Sequence, residues 1–594
     1  MRLRQGRRPR RGEVLGGSSS LQDFSPFPAY STRMNARVVP AVLFACLLLT
    51  GCHHDSAPIS PTPSAQDEAA AANALFLNQK TFDPWVLKSA GLSSPIAFYK
   101  SNGEQSFLFS ANGTVTQTFH AGNYVGGQLT AEVPNPNSVQ GSEGQHTQTL
   151  NIRNGTFETA PDVFLGQIIP KSKRPVTDWP QLWKTSDILI TGDPEAQQVT
   201  HANLFYLLSS TYPGSDHSIP PMGLSSSIYG GHIFWDAEIF MLPALIVQHP
   251  EYAKAIVDYR FKLLGQARKN AAAHGFAGAE YPWESADTGK ELVGAEFAKE
   301  RHITADVGWA AWQYYLWTGD KAYLKKEGWP ILQATAQYWA SRVSEVSDST
   351  GSEAAYHIRA VLGPDETAGV VDDDAWTMGV VIVNLSAAAA AAALMGDTGP
   401  EAKRWAEIAG KLVLPMDKSH PFPAENSMPM TAHFSAKQAD ALLLCYPLNR
   451  VADPAVAGPM LEFYSTHTIK NGPAMTASME SVIAAHLGRG QQSLDLFHAS
   501  YRPFMRGPWD AFAEKRTSSR VYFCTGMGGC LQSVLYGFAG LNMIRQGTKV
   551  AGDLYADPHL PPGWGGLTVK GVKYRGKTYD IAVLPGNSVA VSVL

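Results

Sequence analysis

At 594 residues the chain is too long for one small core, and two or three units are expected, one of them large. Its 48 Lys and Arg against 52 Asp and Glu leave a net charge of -4, so the composition lacks the basic excess that a phosphate backbone requires and argues against a nucleic-acid partner. The five cysteines, Cys46, Cys52, Cys445, Cys524 and Cys530, form no zinc-type spacing and suggest no disulfide framework.

The chain opens with an Arg-rich stretch, "MRLRQGRRPRRGEVLGG", which lies far upstream of the first apolar run; Met34 is the better translation start. From Met34, "MNARVVPAVLFACLLLTGC" has a basic start at Arg37, an apolar run from Val38 to Leu49 and then Leu49-Thr50-Gly51-Cys52. This resembles a bacterial lipoprotein signal whose terminal cysteine is acylated, and the run is too short for an ordinary spanning helix of ~20 residues. Residues 1–52 are therefore expected to be a signal region, with Cys52 as the lipidation site on an exported protein, periplasmic or at the cell surface. Residues 53–80, rich in Pro, Ser and Ala and without period, read as a tether.

From 81 to 200 short β-like runs alternate with turns such as Asn102-Gly103 and Gly126-Gly127, which predicts an antiparallel β-sandwich. Residues 201–225 are expected to be a linker. From 226 to 548 the texture is helical. In "PEYAKAIVDYRFKLLGQA", Ala253, Ile256, Val257, Arg260, Leu263, Leu264 and Ala267 follow the rhythm of an amphipathic helix. Almost wholly apolar helices are expected to begin near Asp236, Thr304, Ala375, Ala436, Ala474 and Met527, with amphipathic ones between them. An apolar helix is buried on all sides and an amphipathic one covers it, so six alternations describe a six-hairpin α/α barrel. Residues 549–594 return to alternation and turns, which predicts a small C-terminal β-element.

The loops ahead of the apolar helices carry the residues with chemistry. Gly230-Gly231 makes a sharp turn before Trp235 and Asp236, and Asp236 is open to a second reading as a helix N-cap. Trp283 and Glu284 sit in the loop "EYPWESADTGKE". Arg301, His302 and Asp306 cluster in "ERHITADV", where a lone His is more often structural and no second metal ligand is in sight. In Gly363-Pro364-Asp365-Glu366 the proline stiffens the turn, and Asp365, Asp372, Asp373 and Asp374 crowd Glu366. Like charges raise one carboxyl's affinity for its proton, which suits a general acid. Lys437-Gln438 offers donors suited to sugar hydroxyls, or an exposed cap. Glu514 stands in a polar loop before Thr525-Gly526-Met527-Gly528-Gly529, a Gly-rich turn weakly suggestive of an anion site.

Taken together, "GHIFWDAEIFMLPAL", "YPWESADTG", "GPDE", "KQADALLL" and "TGMGGCLQSVLYGFAGL" resemble glycoside hydrolase family 65, in order and spacing, from about Trp183 onward. The resemblance implies a β-sandwich, a linker, an α/α barrel and a C-terminal β-element, and an inverting reaction at an α-glucoside. It assigns Glu366 as general acid, Glu514 as general base, and Trp235, Asp236, Lys437 and Gln438 as residues holding the first glucose, with Trp283 and Glu284 beside them. The hydrolase branch implies small α-linked glucosides as substrates, α-1,2-linked ones such as kojibiose or glucosylgalactose first and α,α-trehalose second, with no metal or organic cofactor.

Two alternatives accompany this reading. One is an inverting phosphorylase on the same fold, against which stand Glu514 and the lack of the Ser/His phosphate loop those relatives share. The other is a lipid-tethered oligosaccharide-binding protein without catalysis. The sequence leaves the oligomeric state open, a homodimer among the alternatives.

Overall fold

The computed structural model describes residues 83–90, 97–110, 115–132, 147–154, 156–160, 177–346, 355–431 and 434–594. All of these fall within one unit, residues 45–594; the other unit, residues 1–44, lies outside the described residues, as do Cys52, the remainder of the signal region and the tether.

The first strands form two antiparallel sheets. Phe98–Ser101, Gln105–Phe109, Val115–Val125 and Gln128–Glu132 make a four-stranded meander. Val86–Ala90, Thr147–Asn151 and Thr156–Ala160 make a three-stranded sheet with Thr147–Asn151 in the middle. Alternation turns one set of side chains inward, and the two inner faces meet through aromatic rings: Phe98 stacks on Phe157 at 4.0 Å, and Phe109 lies 5.4 Å from the same ring. Gly126 and Gly127, both with positive φ, close the two-residue hairpin between Val125 and Gln128, a conformation that matches the strands' twist. That hairpin reaches the functional loops.

Two expectations change here. Residues 177–200 do not belong to these sheets: Trp179–Thr185 is helical, and Ile188–Thr191 pairs antiparallel with Gly566–Tyr574 at the other end of the chain. Ile188 and Ile190 are buried, and alternating burial looks the same whichever sheet receives the strand. The expected linker at 201–225 starts inside a helix, Pro194–Ser209, which the Asp193 side chain caps and whose residues from Ala196 onward are all buried. Its lack of an apolar stripe hides it from a periodicity reading.

Beyond Ser227 the helices form two sets. Ala237–Ile246, Ile303–Thr318, Ala375–Met395, Ala441–Leu444, Thr476–His486 and Cys524–Phe538 each pack against the next, and the last packs against the first. Pro194–Ser209, Pro250–Ala273, Trp329–Arg342, Pro400–Lys411, Pro454–His467 and Gly490–Tyr501 lie against members of that set. All of this second group except Gly490–Tyr501 have Pro in the first turn, where the missing N–H costs nothing. Ala375–Met395 is apolar enough by composition to cross a membrane, yet it is mostly buried inside the protein. The helix expected near Ala436 is reduced to the single turn Ala441–Leu444, ending just before Pro447, which disfavours a helical conformation in Tyr446 ahead of it.

The seven residues read as an apolar stripe on Pro250–Ala273 are all buried, Arg260 among them. Its guanidinium pairs bidentately with buried Glu238 of the neighbouring helix, at 2.7 and 3.1 Å. The C-terminal strands Gly566–Tyr574, Lys577–Leu584 and Ser588–Val593 complete the four-stranded sheet begun by Ile188–Thr191.

Candidate active site

Three consecutive residues, Tyr229, Gly230 and Gly231, take positive φ values of 56, 64 and 65° ahead of the Ala237–Ile246 helix. A Cβ on Gly231 would sit 2.5 Å from Leu129 of the N-terminal hairpin, so glycine lets the two backbones approach. The Tyr124 hydroxyl donates to the Gly231 carbonyl at 2.6 Å, and His232 lies between the Gly127 carbonyl, 2.7 Å away, and Glu284, 2.6 Å away. Burial disfavours charge on His232, but Glu284 and the carbonyl outweigh it and raise its pKa. Glu284 is thus engaged with His232.

Trp235 is buried, with its ring edge-on to His302 at 5.0 Å and to Trp376 at 5.5 Å; Trp283 meets His302 from another side at 5.3 Å. His302 is held between Glu300 at 2.9 Å and Asp306 at 2.6 Å. Burial works against its charge, but the two carboxyls overcome this and push it up to about 10. Burial pushes Glu300 up to about 8, and the nearby Glu366 adds to the effect.

Asp236 is not an N-cap. Its backbone is already helical and its side chain makes no cap bond; it accepts instead from the Thr525 hydroxyl of the Cys524–Gln532 helix. Burial pushes its carboxyl up to about 7 against the Thr525 bond, with repulsion from Glu238 and Glu514 adding to it.

The acidic loop resolves into separate tasks. Asp365 accepts from the Thr367 N–H at 3.2 Å and from the Lys437 backbone N–H at 2.7 Å. Asp372 pairs with Arg359 at 3.1 Å. Asp373 accepts from the Ile358 N–H and meets His357, while Asp374 caps Ala375–Met395 through Thr377. The expected crowding of Glu366 by these aspartates is therefore corrected: each is turned to its own partner, and the charge beside Glu366 is a cation, Lys437 Nζ, 2.7 Å from Oε1. A Cβ on Gly363 would meet the Asp374 carboxylate at 2.0 Å, which fixes glycine there. Gln438 spends its amide on the Pro364 carbonyl at 2.7 Å and holds the turn in place.

Behind this loop Asp374, Glu425 and Asp440 are buried near one another, and burial raises all three above the ordinary carboxylate range; Asp374 and Glu425 add to it at Asp440, Asp365 adds to it at Glu425, and the bonds from Thr377 oppose it at Asp374. Nothing local in the sequence marks Glu425, Asp440, Glu300 or Trp376 as neighbours of these loops. Glu425 stands alone in its segment, and only the three-dimensional packing brings these groups together.

Glu514 lies in the loop before the Cys524–Gln532 helix. Its backbone N–H donates to the Arg520 carbonyl at 3.0 Å and its carbonyl accepts from the Ala474 N–H at 2.8 Å. Its buried side chain accepts from the Tyr229 hydroxyl at 2.7 Å, and Arg520 approaches the second oxygen at 3.5 Å. Thr525 to Gly529, expected as a Gly-rich turn at a helix opening, are buried inside the helix. Cβ atoms on Gly526, Gly528 and Gly529 would each come within 2.5 Å of Phe512, the Phe240 carbonyl and Ser478 respectively, so these glycines serve close packing of the ring of helices.

Glycosyl hydrolase family 65 has a central catalytic domain whose model matches residues 201–428, a span that holds Trp235, Asp236, Trp283, Glu284 and Glu366. The chain carries a family 65 catalytic domain. It is 41% identical over 411 residues to a kojibiose hydrolase of Mucilaginibacter mallensis, covering 68% of this chain and 58% of that protein. It is 35% identical over 418 residues to a protein-glucosylgalactosylhydroxylysine glucosidase of Gallus gallus, again covering 68% of this chain and 58% of the relative. The chain thus spans less than two thirds of the length of these curated relatives. A solved structure provisionally described as a kojibiose phosphorylase from the human microbiome superposes with a TM-score of 0.64 at 16% identity, covering 86% of this chain and 94% of that one, which shows a shared fold.

Proposed function

We propose that the protein is an inverting, exo-acting α-glucoside hydrolase that releases terminal glucose from a short α-1,2-linked glucoside such as kojibiose, with α,α-trehalose second. The observation that carries this reading is the pair of carboxyls in unlike settings: Glu366 partly exposed beside Lys437, and Glu514 buried and held by Tyr229. The names of the two relatives favour the α-1,2 linkage.

On this reading the helical domain is a six-hairpin α/α barrel, residues 226–548 with Pro194–Ser209 added, and the substrate enters where its mouth loops meet the N-terminal hairpin. Glucose occupies the site floored by Trp235 and Trp283, with Asp236 and Lys437 on its hydroxyls. Lys437 turns from Glu366 to the sugar as substrate binds, leaving the Glu366 carboxyl to carry the proton. Glu366 then protonates the glycosidic oxygen as the C1–O bond breaks. Glu514 takes a proton from a water that attacks C1 on the opposite face, and β-glucose leaves. Inversion requires about 6.5–9.5 Å between the two carboxyls so that this water fits. Gln438 acts one step away by holding the Pro364 turn. The carboxylate at Glu514 disfavours phosphate in the water's place by repulsion. The Leu49-Thr50-Gly51-Cys52 motif supports export and lipid anchoring through Cys52 in a bacterial membrane.

Proton NMR of the first sugar released decides the chemistry, with kojibiose, glucosyl-α-1,2-galactose, trehalose, nigerose and maltose, each with and without phosphate. The expected outcome is β-glucose from the α-1,2 substrates without phosphate, and loss of about 10²–10⁴-fold in kcat for Glu366→Gln and for Glu514→Gln. β-Glucose 1-phosphate formed only with phosphate would establish a phosphorylase. Binding without turnover in the parent would establish a binding protein.

A further inference from the structure

We propose that Tyr229 and Arg520 position Glu514 for its work on the water, as a hydrogen-bonded chain running guanidinium to phenol to carboxylate; the proposal rests on Glu514 being the base. Arg520 Nη1 donates to the Tyr229 oxygen at 2.8 Å, and the Tyr229 hydroxyl donates to Glu514 Oε1 at 2.7 Å. The same guanidinium stands 3.5 Å from Oε2 and 5.1 Å from the centre of the Tyr229 ring. One carboxylate oxygen is thereby committed to the phenol. Among the described residues the other makes one long contact, with Arg520, and is the oxygen left to receive a proton. A chain of this kind polarises along its length, so each link strengthens the next.

The backbone at Tyr229 points to the same role. A φ of 56° is strained for an aromatic residue, whereas glycine or asparagine would take it with less strain. Nothing about the turn itself asks for a phenol. The ring lies edge-on to Phe234 at 5.8 Å and is more than one third exposed, so burial does not account for it either. Its hydroxyl, reaching a carboxylate 285 residues away, does.

The strained turn is clamped from outside the helical domain. The His232 N–H donates to the Tyr229 carbonyl at 3.0 Å, Tyr124 holds the Gly231 carbonyl, and Leu129 packs where a side chain on Gly231 would be. On the far side the Tyr522 hydroxyl donates to the Ala97 carbonyl at 2.8 Å, close to the first of the N-terminal meander strands. The N-terminal sheets therefore grip both segments that bring Tyr229 and Glu514 together.

Among the described residues the groups that face Glu514 are Tyr229 from the Gly-rich turn, Arg520 from its own loop and Asp236 from the neighbouring helix start, which acts through its field. Asp236 is present in the parent and in every variant below, so its effect cancels in a comparison of profiles.

The test is the pH dependence of kcat/KM for kojibiose with the full chain, for the parent, Tyr229→Phe, Arg520→Gln and the double variant. The expected result is an acidic limb moved to higher pH by roughly half to one unit in Arg520→Gln, allowing for the exposure of the guanidinium. Tyr229→Phe is expected to lower kcat by about 10–10²-fold with KM little changed. The double variant is expected to lose less than the product of the two single losses, because both act through one carboxylate. Unmoved limbs with kcat within twofold of the parent would overturn the proposal.

The base reading has its own readout. In Glu514→Ala, azide attacking C1 in place of water forms a C–N bond as the C1–O bond breaks and Glu366 protonates the leaving oxygen, so β-glucosyl azide is expected. Full turnover in Glu514→Gln with no azide product in Glu514→Ala would defeat the base assignment and the proposal with it. Azide rescue with unchanged Tyr229→Phe and Arg520→Gln profiles would defeat the proposal alone.

Discussion

At the scale of single residues the acidic loop shows how neighbours in sequence part company in space. Five carboxylates within ten positions look like mutual repulsion, but Asp365, Asp372, Asp373 and Asp374 each hold backbone or a cation, and Lys437 from another loop meets Glu366. Lys437 has two partners in prospect, the acid at rest and a sugar hydroxyl in the complex. Lys437→Met should lower kcat/KM by about 10²-fold or more, and Lys437→Arg should restore little because a planar fork cannot replace a compact ammonium. Steady-state kinetics together with a thermal melt check this; full activity in Lys437→Met would remove the residue from the mechanism.

Elements carry a second kind of prediction. The Thr476–His486 helix buries Glu480 beside a cavity of about 330 Å³ that Ser465 also lines. Burial pushes the carboxyl up to about 7. A raised carboxyl pKa means the folded chain holds a proton that the unfolded chain releases. The favourable contribution is whole below about pH 4.5 and is lost as pH rises through 7. Glu480→Gln should therefore match the parent's stability near pH 4.5 and exceed it by on the order of 1–3 kcal/mol at pH 8. Denaturant titrations at the two pH values decide the matter; an equal difference at both would show that the carboxyl does not titrate in this window.

For the whole molecule the joint between its two ends matters most. Ile188–Thr191 is completed by Gly566–Tyr574, and the same sheet grips the helices: Gln248 donates to the Lys570 carbonyl at 2.7 Å and Trp317 to the Lys573 carbonyl at 2.6 Å. Leu567, Val569, Val572, Tyr574, Ile581 and Val583 are buried, and at about 1.5–3 kcal/mol each their loss rivals a domain's whole stability of about 5–15 kcal/mol. Deleting residues 566–594 should leave an insoluble chain or one without a cooperative melt, read from the soluble fraction and calorimetry. A soluble, active product would show that the sheet is an appendage.

The sequence by itself determined the texture of the fold and the local motifs. Short alternating runs became the N-terminal sheets, and apolar runs became helices starting at Ile303, Ala375, Thr476 and Cys524, close to where periodicity put them. Gly-Pro-Asp-Glu was legible because a stiff turn and its carboxylates are neighbours in the chain. Only the tertiary structure decided which sheet receives Ile188–Thr191, that Pro194–Ser209 is a helix, and that Asp236 answers Thr525 instead of capping. It also decided the company of the site: His302 between two carboxyls, Lys437 on Glu366, and Tyr229 on Glu514 across 285 residues. Periodicity records which side of an element is apolar, whereas a hydrogen bond between distant loops leaves no trace in the order of residues until the chain is packed.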